Sequence, residues 1–202
     1  MNMDNNQLYE TIIESILDQE YAVVDHFFTS DEVNTLRNGL EDAFAADQFK
    51  KSAIGNKMDE KIIDAVRGDY ILWLDEAHQT AASAVFFSKV QDFVAYLNAT
   101  CFLGITTKEF HFAVYPEGTF YKRHLDVFQN DTRRRLSLVC YLNDENWLPE
   151  YGGALVIYKG EETITIYPEK GRVVIFDSQK LEHEVMPVNQ KRYSITGWLK
   201  TN

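Results

Sequence analysis

The chain has 202 residues, of which 45% are apolar and 13% aromatic, so it is long enough for one globular domain and too short for two of ordinary size. Its net charge of −11 argues against nucleic acid and anionic membranes as partners, because contacts with phosphate groups need a cationic surface. Apolar runs of at most five residues argue against a membrane span, and two cysteines argue against a disulfide framework, so we expect a cytoplasmic protein.

The first half of the chain has mainly helical patterns. Apolar residues recur three or four positions apart in residues 8–17, 31–44 and 79–99, and Thr29 and Glu32 have the spacing of a capping box before the second segment. Short β-branched and aromatic runs at 21–28 and 67–74 predict strands, and the polar, basic segment 50–61 predicts an exposed loop. Residues 1–107 are therefore expected to be mainly helical support with edge strands.

From Lys108 the apolar pattern changes to the alternation of β-strands. Short β-branched or aromatic segments separated by turns predict strands at 109–116, 135–142, 153–160, 162–168, 171–177 and 192–199. Many short strands without helices between them are typical of a sandwich or a barrel. The sequence therefore predicts a fold that is mainly β with α, in a single domain over residues 1–202 whose β core spans residues 108–200.

The stretch "YKRHLDVF" contains a histidine and an aspartate two residues apart, His124 and Asp126. Side chains two apart on a strand point to the same face, so this imidazole and carboxylate would be aimed at one point. A second histidine would complete the facial triad of ferrous iron sites, and His183 is the histidine among the late strands. With Arg192 following nine residues later, the combination arises by chance in roughly one sequence in a hundred of this composition.

Arg192 indicates what else such a site would bind. Three protein ligands leave three iron positions, two for a chelating 2-oxoacid and one for dioxygen. The far carboxylate of a chelating dicarboxylate needs a partner, and a guanidinium group matches it with two charge-assisted hydrogen bonds. Thr196 and Tyr141 are candidate hydroxyl donors to the same end. Taken alone, Arg192 would be interpreted as half of an ordinary ion pair at the edge of the barrel.

Several motifs resemble those of a known enzyme family. They are "RGDYILWL", "YPEGTFYKRHLD", "CYLNDENW", "GGALVIY", "LEHEVMPV" and "RYSITGW". The chain is similar in them to the iron(II)- and 2-oxoglutarate-dependent dioxygenases, specifically the prolyl hydroxylases of the EGL-nine (hypoxia-inducible-factor) type and their bacterial relatives. The resemblance implies a double-stranded β-helix, that is, a cupin-like jelly roll, flanked by N-terminal helices. It also implies Fe(II), 2-oxoglutarate and O2 as cofactors, with ascorbate as a reductant.

The resemblance also implies roles for individual residues. The implied catalytic iron ligands are His124, Asp126 and His183. The implied cosubstrate pocket consists of Arg192 and Tyr141 at the distal carboxylate, Tyr115 near the iron-chelating end, and Leu155 and Trp198 in the wall. All of these positions match the motifs quoted above, so the chemistry of the family is expected to be intact.

The implied activity is hydroxylation of a prolyl residue in a protein or peptide to 4-hydroxyproline, with release of succinate and CO2. Hydroxylation of a free amino acid or another small molecule is an alternative, because a compact chain without accessory domains could also perform it. A module that binds 2-oxoglutarate or a metal without catalysis is a second alternative. A cupin-like protein that holds zinc in its His/Asp cluster is a third.

Other conspicuous residues receive no role in this predicted site. His26, His78 and His111 have no partner at ligand spacing, so we interpret them as structural or exposed. The sequence from Arg67 to Asp69 is interpreted as a turn that leads into a strand. The three arginines Arg133 to Arg135, where the animal enzymes are rich in glycine, are interpreted as the charged end of a hairpin.

Overall fold

The computed structural model describes residues 5–52, 65–127 and 132–202. Within these ranges the helices are α1 (Asn5–Gln19), α2 (Ser30–Ala45) and α3 (Ala81–Thr100), and residues Pro149–Tyr151 form a short 3₁₀ turn. The strands are β1 (Tyr21–Val24), β2 (Lys50–Lys51), β3 (Tyr70–Trp73), β4 (Thr107–Tyr115), β5 (Tyr121–His124), β6 (Arg134–Tyr141), β7 (Leu155–Lys159), β8 (Glu162–Ile166), β9 (Val173–Asp177), β10 (Glu182–Val185) and β11 (Arg192–Lys200). None of the helices in the described ranges is both long enough and apolar enough to cross a bilayer.

The strands form two antiparallel sheets. The large sheet has the order β1-β9-β6-β11-β4-β3-β2, and the small sheet has the order β5-β10-β7-β8. Between β4 and β11 the chain passes repeatedly from one sheet to the other, so strands that are neighbours in sequence mostly face each other across the core. This is the connectivity of a jelly roll, and it confirms the predicted fold.

The large sheet separates two apolar layers. Because side chains alternate along a strand, Leu138 and Cys140 of β6 face the helices, whereas Val139 and Tyr141 face the small sheet. The helix-side layer joins residues of all three helices to one face of the large sheet, among them Ile12, Leu36, Phe86, Phe93, Phe110, Ile175 and Ile195. The helices therefore support the sheet from outside and leave the space between the two sheets for a site.

Most predicted elements of the first half form, with shifted ends. The capping box of Thr29 and Glu32 is present at the start of α2. The strand expected at 21–28 ends at Val24, because Phe27 and Phe28 leave the sheet and bury their rings in the helical layer. In the segment 50–61, Lys50 and Lys51 form β2 rather than part of a loop, and residues 53–61 lie outside the described ranges.

Candidate active site

A cavity of about 440 Å³ lies between the two sheets. Its walls come from strands of the large sheet (β2, β3, β4, β6 and β11) and of the small sheet (β5, β7 and β10). Eight of the nine predicted site residues line this cavity: His124, Asp126, His183, Arg192, Tyr115, Thr196, Leu155 and Trp198. The fold thus brings together residues that are as much as 83 positions apart in the chain.

The two predicted histidine ligands lie side by side on neighbouring strands of the small sheet. His124 ends β5 and His183 lies in β10, and the two residues are direct antiparallel partners. Asp126 follows β5 by two residues and lies beside both rings, with Nε2···Oδ distances of 3.5 Å to His124 and 3.6 Å to His183. One candidate ligand atom from each of the three residues lies within 4.8 Å of the others. The three side chains could therefore converge on one metal ion.

Backbone carbonyls orient both imidazole rings. The Nδ1 atom of His124 lies 2.7 Å from the carbonyl oxygen of Lys122, and that of His183 lies 3.2 Å from the carbonyl oxygen of Leu181. A neutral ring that donates from Nδ1 keeps the lone pair of Nε2 free for a metal. Burial lowers the pKa of His183 to about 4, so its ring is neutral at pH 7. Both rings are thus oriented so that Nε2 can bind a metal.

The carboxylate of Asp126 is anchored from the large sheet. Ser137 on β6 donates a hydrogen bond of 2.6 Å to Oδ2, and Ser178 lies 2.8 Å from the Ser137 hydroxyl. Burial alone would raise the pKa of Asp126, but His183, His124 and Ser137 outweigh it and hold this pKa below its usual range. Two imidazoles and one carboxylate on one side of a cavity are the donor set of non-haem iron(II) sites.

Arg192 is a buried cation in the same cavity. It begins β11 and is 1% exposed, with its guanidinium carbon 4.9 Å from the ring centroids of both Tyr115 and Tyr141. Its Nη1 is 3.4 Å from the Ser194 hydroxyl. Among the described residues its Nε has no hydrogen-bond partner, and none of their carboxylates forms an ion pair with it. A buried charge without a counter-ion is costly, so this site fits a ligand that brings a carboxylate.

The predicted hydroxyl donors occupy different positions relative to Arg192. Thr196 shares the face of β11 with Arg192 and Ser194, and its hydroxyl lies 3.4 Å from that of Ser194. Tyr141 does not line the cavity but is buried against Arg192. Its hydroxyl makes no hydrogen bond of standard geometry with a described residue, while Arg192 opposes the rise that burial causes in its pKa. Both residues could therefore turn a hydroxyl toward a carboxylate held by Arg192.

Arg67 lines the cavity, although the sequence predicted only a turn there. Its guanidinium group makes two hydrogen bonds, of 2.8 and 2.6 Å, with the buried carboxylate of Asp69. It also lies 4.3 Å from the ring centroid of Tyr121, which stacks on His124 at 3.7 Å between ring centroids. An ion pair in the interior thus supports the ring of a candidate ligand. The RGD stretch of the sequence was the available signal for this role.

His111 is the second residue that sequence reasoning missed. It is buried, but it belongs to the cavity wall rather than to a separate core, between Trp73 and Trp198 at ring-centroid distances of 4.9 and 5.9 Å. Burial lowers its pKa to about 3, and its Nδ1 has no hydrogen-bond partner among the described residues. Its position four residues before Tyr115, on the same face of β4, was the signal that could have identified it.

Arg134 also differs from its interpretation as part of a charged hairpin end. It begins β6, lines the cavity and donates a 2.7 Å hydrogen bond to the backbone carbonyl of Asp126. Its guanidinium carbon lies 3.4 Å from the ring centroid of Trp198. Arg134 therefore connects the backbone of a candidate metal ligand to the aromatic wall.

Comparisons with known proteins agree with this geometry. A family model described as the 2OG-Fe(II) oxygenase superfamily matches residues 110–200. The chain is 30% identical, over 94% of its length, to a hypoxia-inducible factor prolyl hydroxylase from Caenorhabditis elegans, of which the match covers 28%. The chain spans about a third of the length of the curated relatives that it matches.

Two solved structures are similar over almost the whole chain. A prolyl-4-hydroxylase from Pseudomonas putida is 31% identical with a TM-score of 0.87, and the match covers 96% of this chain and 100% of that one. A prolyl hydroxylase from Trichoplax adhaerens, in complex with a peptide fragment of the hypoxia-inducible factor oxygen degradation domain, is 25% identical with a TM-score of 0.86, over 97% and 90% of the two chains. The predicted resemblance is thereby confirmed, and the chain belongs to the 2OG-Fe(II) oxygenase superfamily.

Proposed function

We propose that residues 1–202 form a single oxygenase domain that uses Fe(II), 2-oxoglutarate and O2 to hydroxylate a prolyl residue of a protein or peptide. One cavity contains both the cluster of His124, Asp126 and His183 and the buried Arg192, which has no counter-ion among the described residues, and this observation carries the proposal. A metal site alone would also suit a zinc protein. A metal site with a cationic pocket for a second carboxylate suits a chelating 2-oxodicarboxylate.

Each part of the cavity has a proposed task. His124, Asp126 and His183 hold Fe(II), and Arg192 with Tyr141 and Thr196 holds the distal carboxylate of 2-oxoglutarate. Tyr115 lies near the chelating end, and Leu155 and Trp198 form the wall. When bound, Fe(II) and 2-oxoglutarate supply the oxidation, in which one oxygen atom of O2 enters succinate, the other enters the substrate as a hydroxyl group, and CO2 is released.

The residues of the chain orient the bound groups and exclude water. The carbonyls of Lys122 and Leu181 hold the imidazoles with Nε2 facing Asp126, and Ser137 holds the carboxylate. The buried apolar side chains of Leu155 and Val139 line the cavity, and such a lining strengthens the charge-assisted bonds of Arg192. Preorganisation of this kind lowers the cost of bringing the cosubstrate and the substrate into line.

A peptide substrate is favoured by the relatives. Two similar solved structures are those of prolyl hydroxylases, and one of them holds a peptide. Hydroxylation of a free amino acid or another small molecule is the second candidate, and the test below separates the two. A cytoplasmic place of action stays a prediction, supported by the free thiols of Cys101 and Cys140.

The test is an assay of the purified chain with Fe(II), ascorbate and 2-oxoglutarate. We expect slow succinate formation without substrate, and a mass increase of one oxygen on proline in a protein of an added cell lysate. Asp126→Ala should abolish both, whereas His78→Ala, which removes an exposed histidine, should not. If the chain neither forms succinate nor binds 2-oxoglutarate, the proposal that it is an oxygenase is wrong. If the chain hydroxylates free proline and no protein of the lysate is modified, the substrate is a small molecule rather than a peptide.

A further inference from the structure

Asp126 is the candidate metal ligand that its own strand supports least. His124 and His183 are paired in the small sheet, whereas Asp126 lies two residues beyond the end of β5. It forms no backbone–backbone hydrogen bond with any residue that the structure describes. A metal site holds its donor atoms to within about 0.2 Å of their preferred distances, so a ligand outside the strand ladder needs other groups to fix its position.

Strand β6 of the large sheet supplies two such groups. Ser137 donates a hydrogen bond of 2.6 Å to the carboxylate of Asp126, and Arg134 donates one of 2.7 Å from Nη1 to its backbone carbonyl. The two bonds hold opposite ends of the same residue. The bond from Ser137 orients the carboxylate, and the bond from Arg134 fixes the backbone that carries it.

An irregularity in β6 turns Arg134 toward the cavity. Strict alternation would place Arg134 on the side of Leu136, which packs in the helix-side layer. In the pairing of β6 with β11, Leu136 lies opposite Leu199 and Arg134 lies opposite Lys200. Arg135 is therefore an extra residue, and a β-bulge of this kind re-aims a neighbouring side chain. As a result, Arg134 lines the cavity and reaches the segment after β5.

Further contacts hold the guanidinium group of Arg134 in place. Its carbon lies 3.4 Å from the ring centroid of the buried Trp198. Its Nη2 lies 3.8 Å from Oε2 of Glu109, whose Oε1 pairs with Lys200 at 2.8 Å. A planar guanidinium group that stacks on a ring and faces a carboxylate has few orientations left, so it is preorganised to donate to the carbonyl of Asp126.

We propose that Arg134 is a positioning residue of the metal site. Through the carbonyl of Asp126 it fixes the backbone from which the carboxylate reaches the metal, and Trp198 and Glu109 set the direction of its hydrogen bond. This role rests on the proposed Fe(II)-dependent function. It adds a residue that acts on the metal through Asp126 rather than by contact.

Titration with Co(II) tests this role without depending on catalysis. Co(II) stands in for Fe(II), and its visible absorption bands report the geometry of its ligands. Arg134→Met removes the donor but keeps a side chain that can pack on Trp198, so Co(II) should bind about tenfold more weakly and with altered bands. Arg134→Lys keeps a charged donor and should recover most of the lost affinity. If Arg134→Met does not fold, Glu109→Gln replaces it and should weaken Co(II) binding about threefold.

Arg37→Met is the matched control. Arg37 also pairs with a carboxylate, that of Asp144 at 2.7 Å, and lies 5.2 Å from the ring centroid of Tyr193, but it does not line the cavity. This variant should bind Co(II) like the unchanged chain. Thermal unfolding of the metal-free variants measures any loss of stability separately. A purely structural role of Arg134 would lower the melting temperature and leave the affinity for Co(II) and its absorption bands unchanged.

The outcomes separate this role from the proposed function. Weaker Co(II) binding by Arg134→Met, restored in Arg134→Lys, supports both. Affinity and bands that Arg134→Met leaves unchanged, or a loss that Arg134→Lys does not restore, overturn the positioning role, while the metal site stands. Unchanged Co(II) binding by Glu109→Gln, where it replaces Arg134→Met, has the same meaning. If the unchanged chain does not bind Co(II), the metal site and the positioning role are both wrong.

Discussion

His124 and His183 are direct cross-strand partners on β5 and β10, with their ring centroids 4.3 Å apart. Each ring is oriented by the backbone carbonyl of the residue two positions before it, so the two sides of the site are built in the same way. Asp126 differs, because it follows its strand and depends on the opposite sheet for support through Ser137.

Ser137→Ala should weaken metal binding without unfolding the protein. The variant removes the 2.6 Å hydrogen bond to Asp126, so the carboxylate loses its orientation and its affinity for a metal falls by about ten- to a hundredfold. Calorimetric titration with Fe(II) in the absence of oxygen measures the change. Ser88→Ala, on the exposed side of α3, is the control and should bind the metal like the unchanged chain. Equal affinities of the two variants would contradict the support of Asp126 by Ser137.

Arg192→Met should separate stability from cosubstrate binding. Because Arg192 is buried without a carboxylate partner among the described residues, an apolar side chain of similar length should leave the melting temperature of the ligand-free chain equal or higher. At a hundred times its Kd, 2-oxoglutarate should stabilise the unchanged chain by about 2.7 kcal/mol and the variant not at all. Thermal unfolding with and without 2-oxoglutarate checks both expectations.

The control for Arg192 is Arg172→Met. Arg172 pairs with Asp25 at 2.7 Å and does not line the cavity, so its loss should lower stability slightly and leave the response to 2-oxoglutarate unchanged. If Arg192→Met still responds to 2-oxoglutarate, the distal carboxylate is held elsewhere.

Gly153→Ala should displace the side chain of Arg192, because the added methyl group would collide with it. Gly153 has φ +68°, and a Cβ atom there would lie 2.9 Å from Cδ of Arg192. Gly160 has a similar φ of +61° but open space around it, so Gly160→Ala is the matched control for backbone strain alone. Both variants should lose about 1 kcal/mol of stability, and only Gly153→Ala should also bind 2-oxoglutarate more weakly. Equal affinities for 2-oxoglutarate would show that Arg192 can move aside.

The buried His111 predicts a loss of stability in mild acid. Its pKa in the folded chain is about 3, because burial and the neighbouring cation Arg67 outweigh the attraction of Asp69 and Asp126. In the unfolded chain a histidine titrates near its ordinary value of about 6.5, so between these two values only the unfolded state takes up the proton. The free energy of unfolding should therefore fall with decreasing pH, by about 1.4 kcal/mol per pH unit from this group.

The free energy of unfolding, measured by chemical denaturation between pH 4 and pH 7, tests this pH dependence when variants are compared with the unchanged chain. His111→Leu should give a shallower pH dependence than the unchanged chain, by about one proton. His78→Leu, which removes an exposed histidine, provides the comparison. A His111→Leu variant with an undiminished slope would show that His111 takes up its proton in the folded state as well.

Local patterns in the sequence predicted much of this molecule. The capping box of Thr29 and Glu32 and the change to strand periodicity near Lys108 depend on neighbours within a few residues, and both are present in the structure. The spacing of His124 and Asp126 likewise indicated a shared direction. Such features follow from the periods of helix and strand, which any stretch of sequence carries by itself.

The tertiary structure decided which of these faces meet. Trp73, His111 and Trp198 form one wall because β3, β4 and β11 are neighbours in the large sheet, although His111 and Trp198 are 87 positions apart in sequence. Arg67 reaches the ring beside His124 only because its segment bridges to Tyr121. Strand pairing depends on hydrogen bonds between distant segments and on how the two sheets pack. Neither can be inferred from the periodicity of a short segment. For this reason the sequence could predict the candidate metal ligands and the candidate anion pocket, and only the fold revealed the residues that lie against them.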